Sequence, residues 1–168
     1  MEKAPNNPEI IDGKYVIEVT DGLTLQDAIS ELEEELCIEI PTPYIVRIKK
    51  DTTWIWFDSF SGCTGFDSII IPDSLKVISW NAFSGCTGLT SIVIPDSVTE
   101  IGGDAFEGCN SLISVFLSKA VKKIDKYAFS GCSNLKIIAL SEELNQIHES
   151  AFTGCPVKMV YICDHKEE

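Results

Sequence analysis

Small and apolar residues recur along most of this chain at a fixed spacing of 23 residues. Each period contains a phenylalanine, a glycine two positions later and a cysteine three positions later. The paired positions are Phe60 and Cys63, Phe83 and Cys86, Phe106 and Cys109, Phe129 and Cys132, and Phe152 and Cys155. A period of this length is typical of repeat architectures, in which each copy completes its core by packing on its neighbours. We therefore expect the equivalent phenylalanines and cysteines to form a structural ladder inside a stack of coils.

The apolar positions within each period predict a short strand followed by a returning half-turn. Residues two positions apart, such as Ile92 and Ile94, place their side chains on one face of an extended segment. Pro95 then ends the strand, because proline offers no donor to a sheet ladder. Apolar residues turn inward again at Val98 and Ile101. Each period is thus one coil of a solenoid, and counting coils in both directions predicts six stacked parallel strands.

The residues before the array predict a small cap of different construction. Residues 10–20 predict two strands joined by a tight turn at Asp12 and Gly13. A helix follows, which Thr24 can cap with Asp27 three positions later. Its apolar stripe is predicted to face the first coil and comprises Leu25, Ala28, Ile29, Leu32 and Leu36. We expect four segments, namely a flexible linker over 1–9, a hairpin-and-helix cap over 10–36, the solenoid over 37–163 and a polar tail over 164–168.

The segment Ile94–Cys109 reads IPDSVTEIGGDAFEGC and resembles the leucine-rich repeat of the BspA or Treponema pallidum type. The likeness extends over residues 60–163, and more loosely over 37–59. It implies an α/β repeat fold, mostly β, in which a right-handed leucine-rich-repeat solenoid of 23-residue coils and parallel strands follows the small cap. It also implies a bacterial surface protein that serves adhesion or host-protein binding rather than catalysis. Ser118 and Ser141 stand where the family has proline, and Cys37 stands where it has phenylalanine.

The charge of the chain excludes several classes of partner. Thirteen Lys and Arg against 26 Asp and Glu give a net charge of −13, which repels nucleic-acid phosphates and anionic lipid. No apolar run approaches the ~20 residues that a membrane span needs, so we predict no nucleic acid and no membrane insertion by this chain. Residues 1–9 show no signal peptide, and the residues alone are compatible with the cytoplasm. The resemblance implies an extracellular or cell-surface location instead, with a leader that is absent from this chain.

The seven cysteines predict structure rather than chemistry. Five share one repeat position, where a buried thiol behaves as a small, inert hydrophobe with a weak donor. Cys37 and Cys163 lie at opposite ends of the predicted array and cannot pair with each other. No close cysteine pair offers the ligand spacing of zinc, and His148 is predicted on the outside, away from any thiol that it could activate. We therefore predict no metal, no cofactor and no catalytic residue.

The strand residue between two inward positions points away from the core and defines a predicted concave face. The residues of this face are Arg47, Ile70, Val93, Phe116, Ala139 and Tyr161. Four of them are large and apolar, and an exposed apolar stripe with polar flanks is typical of a contact surface. Cross-strand packing alone would also favour β-branched and aromatic residues at these positions.

These observations leave three functional interpretations. The first is a non-catalytic protein-binding or adhesion module that holds a host or bacterial surface protein on the concave face. The second is a structural or self-associating surface unit that forms a weak homodimer and has no soluble ligand. The third is carbohydrate binding through Trp54, Trp56 and Trp80, on the return side of the first two coils. We expect the helix or the hairpin to cover these three rings as packing residues.

Overall fold

The computed structural model describes residues 9–19, 24–36, 39–140, 143–157 and 159–162, most of which form short strands and the turns between them. In chain order the elements are β1 (Ile10–Ile11), β2 (Lys14–Val19), α1 (Leu25–Leu36), β3 (Tyr44–Ile48), β4 (Trp54–Ile55), β5 (Phe66–Ile70), β6 (Val77–Ile78), β7 (Ser91–Val93), β8 (Glu100–Ile101), β9 (Ser114–Phe116), β10 (Lys123–Ile124), β11 (Ile137–Leu140), β12 (Gln146–Ile147) and β13 (Met159–Ile162). The strands are short because each crosses one wall of a coil before the chain turns.

From β3 onward, alternate strands along the chain belong to different walls of the stack. The even-numbered strands β4 to β12 form a five-stranded parallel sheet, in which partners lie 23 residues apart, as Ile78 and Ile101 do. The odd-numbered strands, together with β2, form a second wall, which we call the odd-numbered wall, in two groups, β1-β2-β3-β5 and β7-β9-β11-β13. Thr90 N donates to Asp67 O (3.3 Å) where the ladder is interrupted between β5 and β7. The predicted solenoid of 23-residue coils with parallel strands is confirmed.

Columns of equivalent side chains fill the space between the walls. The rings of the five repeated phenylalanines stack with centroids 4.9, 5.1, 5.1 and 5.4 Å apart and with planes within 6° of parallel. The glycine that follows each ring has a φ between +66° and +76°. Glycine adopts this left-handed conformation without a side-chain clash, so the same tight turn recurs in every coil. The predicted phenylalanine ladder is therefore present, and its regularity follows from the repeated turn.

The N-terminal hairpin adds a strand to the odd-numbered wall. β1 and β2 pair antiparallel, with Ile11 opposite Lys14, as the turn residues predict. β2 also pairs in parallel with β3, where Val16 lies opposite Ile45. This second pairing was not indicated by the sequence, and it covers an edge of β3 that would otherwise expose unpaired backbone groups.

Helix α1 begins at a capping box. Asp27 Oδ2 accepts bonds from Thr24 N (3.0 Å) and Thr24 Oγ1 (2.7 Å), and Asp27 N donates to Thr24 Oγ1 (3.2 Å). The reciprocal bonds satisfy backbone donors of the first turn, as the sequence predicts. The helix has 12 residues, and none of the helices within the described ranges has the length and apolar character that crossing a bilayer requires.

The apolar side of α1 packs into the core next to the first coil. Leu25 N donates to Ser59 O (3.4 Å). The stripe residues whose side chains are described are all buried or half-buried, namely Leu25, Ala28, Ile29 and Leu32. The side chain of Leu36 lies outside the described part. The predicted segment boundaries stay predictions, because residues 1–8, residue 163 and the tail over 164–168 also lie outside it.

Candidate interaction surface

Three exposed apolar side chains stand on successive coils of the odd-numbered wall. Ile70 ends β5, Val93 ends β7 and Phe116 ends β9, and 41%, 66% and 45% of their surfaces are exposed. Alternation along each strand places the preceding residue toward the core, as for the fully buried Val115. Val93 lies directly opposite Phe116 in the sheet. We call Ile70, Val93 and Phe116 the apolar stripe.

A groove of about 790 Å³ runs along the apolar stripe. Its lining also includes Asp73, Asp96 and Lys119, from the turns that follow the strands. Both aspartates are exposed. The groove thus combines an apolar surface with carboxylates at one side, which suits a ligand that presents apolar groups next to cationic ones.

A charged pair occupies the predicted concave-face position of the first coil. Arg47 lies in β3 opposite Ile70, and its guanidinium donates to both carboxylate oxygens of Glu9, with one N–O distance of 2.8 Å. The hydrogen bond from Arg47 lowers the pKa of the Glu9 carboxyl. Glu9 belongs to the segment predicted as a flexible linker, yet its carboxylate is held on the sheet here. Arg47 is therefore paired within the chain, and the uncharged part of the face begins at Ile70.

The predicted concave-face residues of the last two coils differ from the apolar stripe. Ala139 lies in register with Phe116 on one side and with Tyr161 on the other. It is 8% exposed, so the prediction that Ala139 presents an exposed surface is wrong. Its methyl group is too short to rise above the larger Phe116 beside it, although it still lines the groove. The side chain of Tyr161 lies outside the described part.

The repeated cysteines connect neighbouring coils through their thiols. Four of the five thiols donate to the backbone carbonyl of the phenylalanine in the preceding coil, and these bonds run from Cys86 Sγ to Phe60 O (3.0 Å), Cys109 Sγ to Phe83 O (3.1 Å), Cys132 Sγ to Phe106 O (3.1 Å) and Cys155 Sγ to Phe129 O (2.8 Å). Cys63, in the first of these turns, lies 4.0 Å from Ser61 O instead. The sequence predicts a structural role for this position, and the structure supplies its hydrogen-bond partner. The two non-repeated cysteines, Cys37 and Cys163, lie outside the described residues.

The environment of these thiols suppresses their chemistry. The interaction with the Cys109 thiol raises the pKa of Cys132, and burial raises it further. The Cys155 thiol lowers it, and the net result is a pKa of about 12. Burial also raises the pKa of Cys63. A thiol that stays protonated at neutral pH is a poor nucleophile, so the repeated cysteines fit a structural role better than a catalytic one.

The remaining candidate chemistry is local and exposed. His148 is exposed as predicted, its Nδ1 lies 2.8 Å from Ser150 Oγ, and it accepts a bond from Ser150 N (3.2 Å). This arrangement spans two residues of one turn. Within the described ranges, no group of three or more His, Cys, Asp or Glu side chains could hold a metal ion. That the protein has no metal, no cofactor and no catalytic residue stays a prediction.

A second exposed apolar surface lies on the even-numbered wall. It consists of Trp54, Trp56, Phe57 and Trp80, which we call the aromatic platform. Their exposed fractions are 47%, 60%, 61% and 45%, so the prediction that the helix or the hairpin covers the tryptophans is wrong. Phe57 was missed by sequence reasoning, although it occupies the same repeat position as Trp80, 23 residues later.

Stacked coils of 23 residues, parallel strands and an internal phenylalanine ladder define a leucine-rich-repeat solenoid. The profile of the BspA type leucine rich repeat region matches residues 53–168 in six copies. The chain belongs to this family, as the segment Ile94–Cys109 predicts. A comparison with curated proteins finds no match.

Three solved structures are similar to this chain in fold. A leucine rich cell surface protein of Faecalibacterium prausnitzii is 22% identical with a TM-score of 0.56, over 77% of this chain and 36% of that protein. A leucine-rich repeat protein of Bacteroides ovatus is 25% identical with a TM-score of 0.53, over 86% and 44%. The pneumococcal vaccine antigen PcpA is 20% identical with a TM-score of 0.51, over 64% and 26%. The matched region therefore spans less than half the length of each of these three proteins.

Proposed function

We propose that this chain is a non-catalytic protein-binding or adhesion module of a bacterial surface leucine-rich-repeat protein, and that it binds through the predicted concave face. The apolar stripe is the observation that carries the proposal. Ile70, Val93 and Phe116 are exposed on successive coils, while the core behind them is complete without their side chains. Large apolar side chains that are aligned and exposed in this way are typical of a contact surface.

Cross-strand packing explains the apolar stripe less well. Val93 and Phe116 are direct neighbours in the ladder, and a role in packing would bury much of each side chain against the other. Val93 nevertheless keeps 66% of its surface exposed. The stripe therefore retains most of its apolar area for a partner.

The charge next to the apolar stripe indicates the chemistry of that partner. Asp73 and Asp96 are exposed along the groove, and the chain as a whole carries a net charge of −13. Complementary charge accelerates association and fixes orientation more than it adds affinity. We expect a protein partner that inserts apolar side chains into the groove and places lysines or arginines over the two carboxylates.

The proposal also includes a location outside the cell and the absence of a catalytic role. The matched Faecalibacterium prausnitzii protein is named a cell surface protein, and this supports a surface location for the present chain. The protonated thiols of the ladder and the local turn that holds His148 favour a binding role over a catalytic one.

The experiment compares Phe116→Ser with Ile113→Ser. Ile113 is as exposed as Phe116 (46% and 45%) and lies in the same coil, but it is not among the residues that line the groove. Binding of purified extracellular-matrix and bacterial envelope proteins is measured by surface plasmon resonance. We expect Phe116→Ser to weaken binding by about tenfold or more, as for a central apolar contact, while Ile113→Ser binds like the parent protein.

Two results would contradict binding through the groove. If every protein that binds the parent chain also binds Phe116→Ser and Val93→Ser with unchanged affinity, the groove is not the binding surface. If the parent chain binds no member of the panel but forms a dimer that Phe116→Ser dissociates, as measured by sedimentation velocity, the stripe serves self-association instead.

A further inference from the structure

The aromatic platform lies on the other wall from the apolar stripe, and its chemistry differs from that of the groove. We infer that Trp54, Trp56, Phe57 and Trp80 form a binding site for a neutral polysaccharide, whose pyranose rings stack on Trp54, Trp56 and Phe57 and contact the exposed part of Trp80. This site is separate from the protein-binding surface proposed above and does not depend on it.

The strand geometry directs two of the rings outward. Ile55 is buried between Trp54 and Trp56, and alternation along a strand then places both tryptophans on the opposite, outer face. Their ring centroids lie 6.0 Å apart and their planes are tilted by 34°. The two indoles are therefore direct neighbours, and about half of each side chain is exposed. Such exposed clusters are uncommon on a soluble domain and usually mark a ligand or partner site.

The neighbouring coil fixes the third tryptophan in place. A Cβ atom at Gly102 would lie 3.0 Å from Trp80 Cδ1 and 2.8 Å from the carbonyl carbon of Ser79, so the glycine leaves the room that the indole needs. Lys126 Nζ lies 4.7 Å from the centroid of the Trp80 ring, which is within the range of a cation–π contact. These contacts occupy part of the Trp80 ring and order it, so its exposed part loses little conformational entropy when a ligand binds.

Charged groups follow on the next strands of the same wall, where Glu100 lies opposite Val77 and Lys123 lies opposite Glu100. Lys123 Nζ bonds Glu100 (2.8 Å) and Asp125 (3.0 Å) on the outer side of the next two coils. A pyranose ring presents C–H groups on its faces and hydroxyls at its edge, so it matches flat aromatic side chains bordered by carboxylates and ammonium groups. The apolar stripe contains a single aromatic ring, that of Phe116, and two aliphatic side chains, so it suits a protein partner better than a sugar. The net charge of −13 disfavours anionic glycans and leaves neutral ones.

Intrinsic fluorescence gives a direct test, because the three tryptophans of the platform are all the tryptophans of the chain. The probes are soluble starch, mixed-linkage β-glucan and arabinoxylan, which separate α-glucans, β-glucans and xylans, with dextran sulfate as the anionic control. We expect one neutral probe to shift the emission to shorter wavelength, to protect it from acrylamide quenching and to retard the protein in affinity electrophoresis, while dextran sulfate does none of these.

Variants assign the effect to the platform. Trp54→Ala and Trp56→Ala replace exposed side chains, so the fold is retained, and each is expected to lower the association constant by about tenfold, equal to about 1.4 kcal/mol. Ile147→Ser is the matched control, because Ile147 is 46% exposed on the same wall but outside the platform, and it keeps the parent affinity. The inference is overturned if no neutral probe retards the parent protein or if Trp56→Ala binds the probe unchanged. It is also overturned if Trp56→Ala dissociates a dimer instead, because the platform would then cover a second copy.

Discussion

Truncating the central ring of the phenylalanine ladder should cost more stability than truncating its last ring. Phe106 is fully buried and stacks on Phe83 and Phe129 at 5.1 Å on both sides. Phe106→Ala removes both stacked contacts and leaves a cavity, for which losses of about 3–5 kcal/mol are usual. Phe152 is half-buried and stacks on one ring at 5.4 Å. We expect Phe152→Ala to lower the free energy of unfolding by about half as much, since one aromatic pair is worth about 0.5–1.5 kcal/mol beyond its burial.

The assay is equilibrium unfolding in urea, followed by circular dichroism and by tryptophan fluorescence. The tryptophans lie in the first two coils, whereas Phe106 begins the fourth, so coincident transitions from both probes show that the coils unfold together. Phe106→Leu is the control that keeps apolar volume while it removes the ring, and it should cost less than about 1.5 kcal/mol. The reasoning is refuted if Phe106→Ala costs less than about 2 kcal/mol, or no more than Phe152→Ala.

Three further predictions concern stability. Ser118→Pro should raise the free energy of unfolding by about 0.4–1 kcal/mol. Pro95 occupies the same position one coil earlier, and the Ser118 hydroxyl is buried with no hydrogen-bond partner in the described part of the chain. A urea midpoint below that of the parent protein would contradict this prediction. The pKa of Cys132 in the folded chain is about 12, against an ordinary 9.0, so the protonated thiol contributes stability that is complete below pH 9 and is lost as the pH rises toward 12. Cys132→Ala should therefore make the fall of unfolding free energy with pH less steep by roughly 1 kcal/mol per pH unit. If the parent and the variant lose stability with equal slopes above pH 9, the thiol is not the source of the decline. Tyr127 has a φ of +56° at the repeat position that Asn81 fills with a φ of +55°, and asparagine adopts this left-handed conformation more readily than tyrosine. Tyr127→Asn should therefore stabilise the protein by about 0.5–1 kcal/mol and raise its melting temperature. An unchanged or lower melting temperature would count against backbone strain at Tyr127.

The repeated part of the fold could be predicted from the sequence because equivalent residues meet equivalent neighbours. Phe83 and Phe106 differ by one period, so translation from coil to coil places one ring upon the other. The same rule locates the outward positions of each strand, and the apolar stripe follows from it. The capping box at Thr24 and Asp27 was predictable for a different reason, since its hydrogen bonds span three residues.

The rest depends on contacts that no period encodes. Glu9 reaches Arg47 across 38 residues, and the pair joins a non-repeated segment to the first coil. Ala139 has the predicted register, but its exposure is set by the size of its neighbours. The tryptophans were expected under the cap because large apolar rings are usually buried, whereas Ile55, between two of them, takes the buried position. The details of both candidate surfaces therefore depend on tertiary contacts outside the repeat and on the size of individual side chains relative to their neighbours.

The most direct test of the stacked-coil account is a nuclear Overhauser measurement between the phenylalanine rings in solution, with carbon-13-labelled phenylalanine. The ring of Phe106 should show cross-peaks to the rings of Phe83 and Phe129, whose centroids lie 5.1 Å away, and none to the ring of Phe60, two coils away. Cross-peaks from Phe106 to Phe60 or Phe152, or no ring-to-ring cross-peaks at all, would contradict the ladder, and the two surfaces placed by its register would be lost with it.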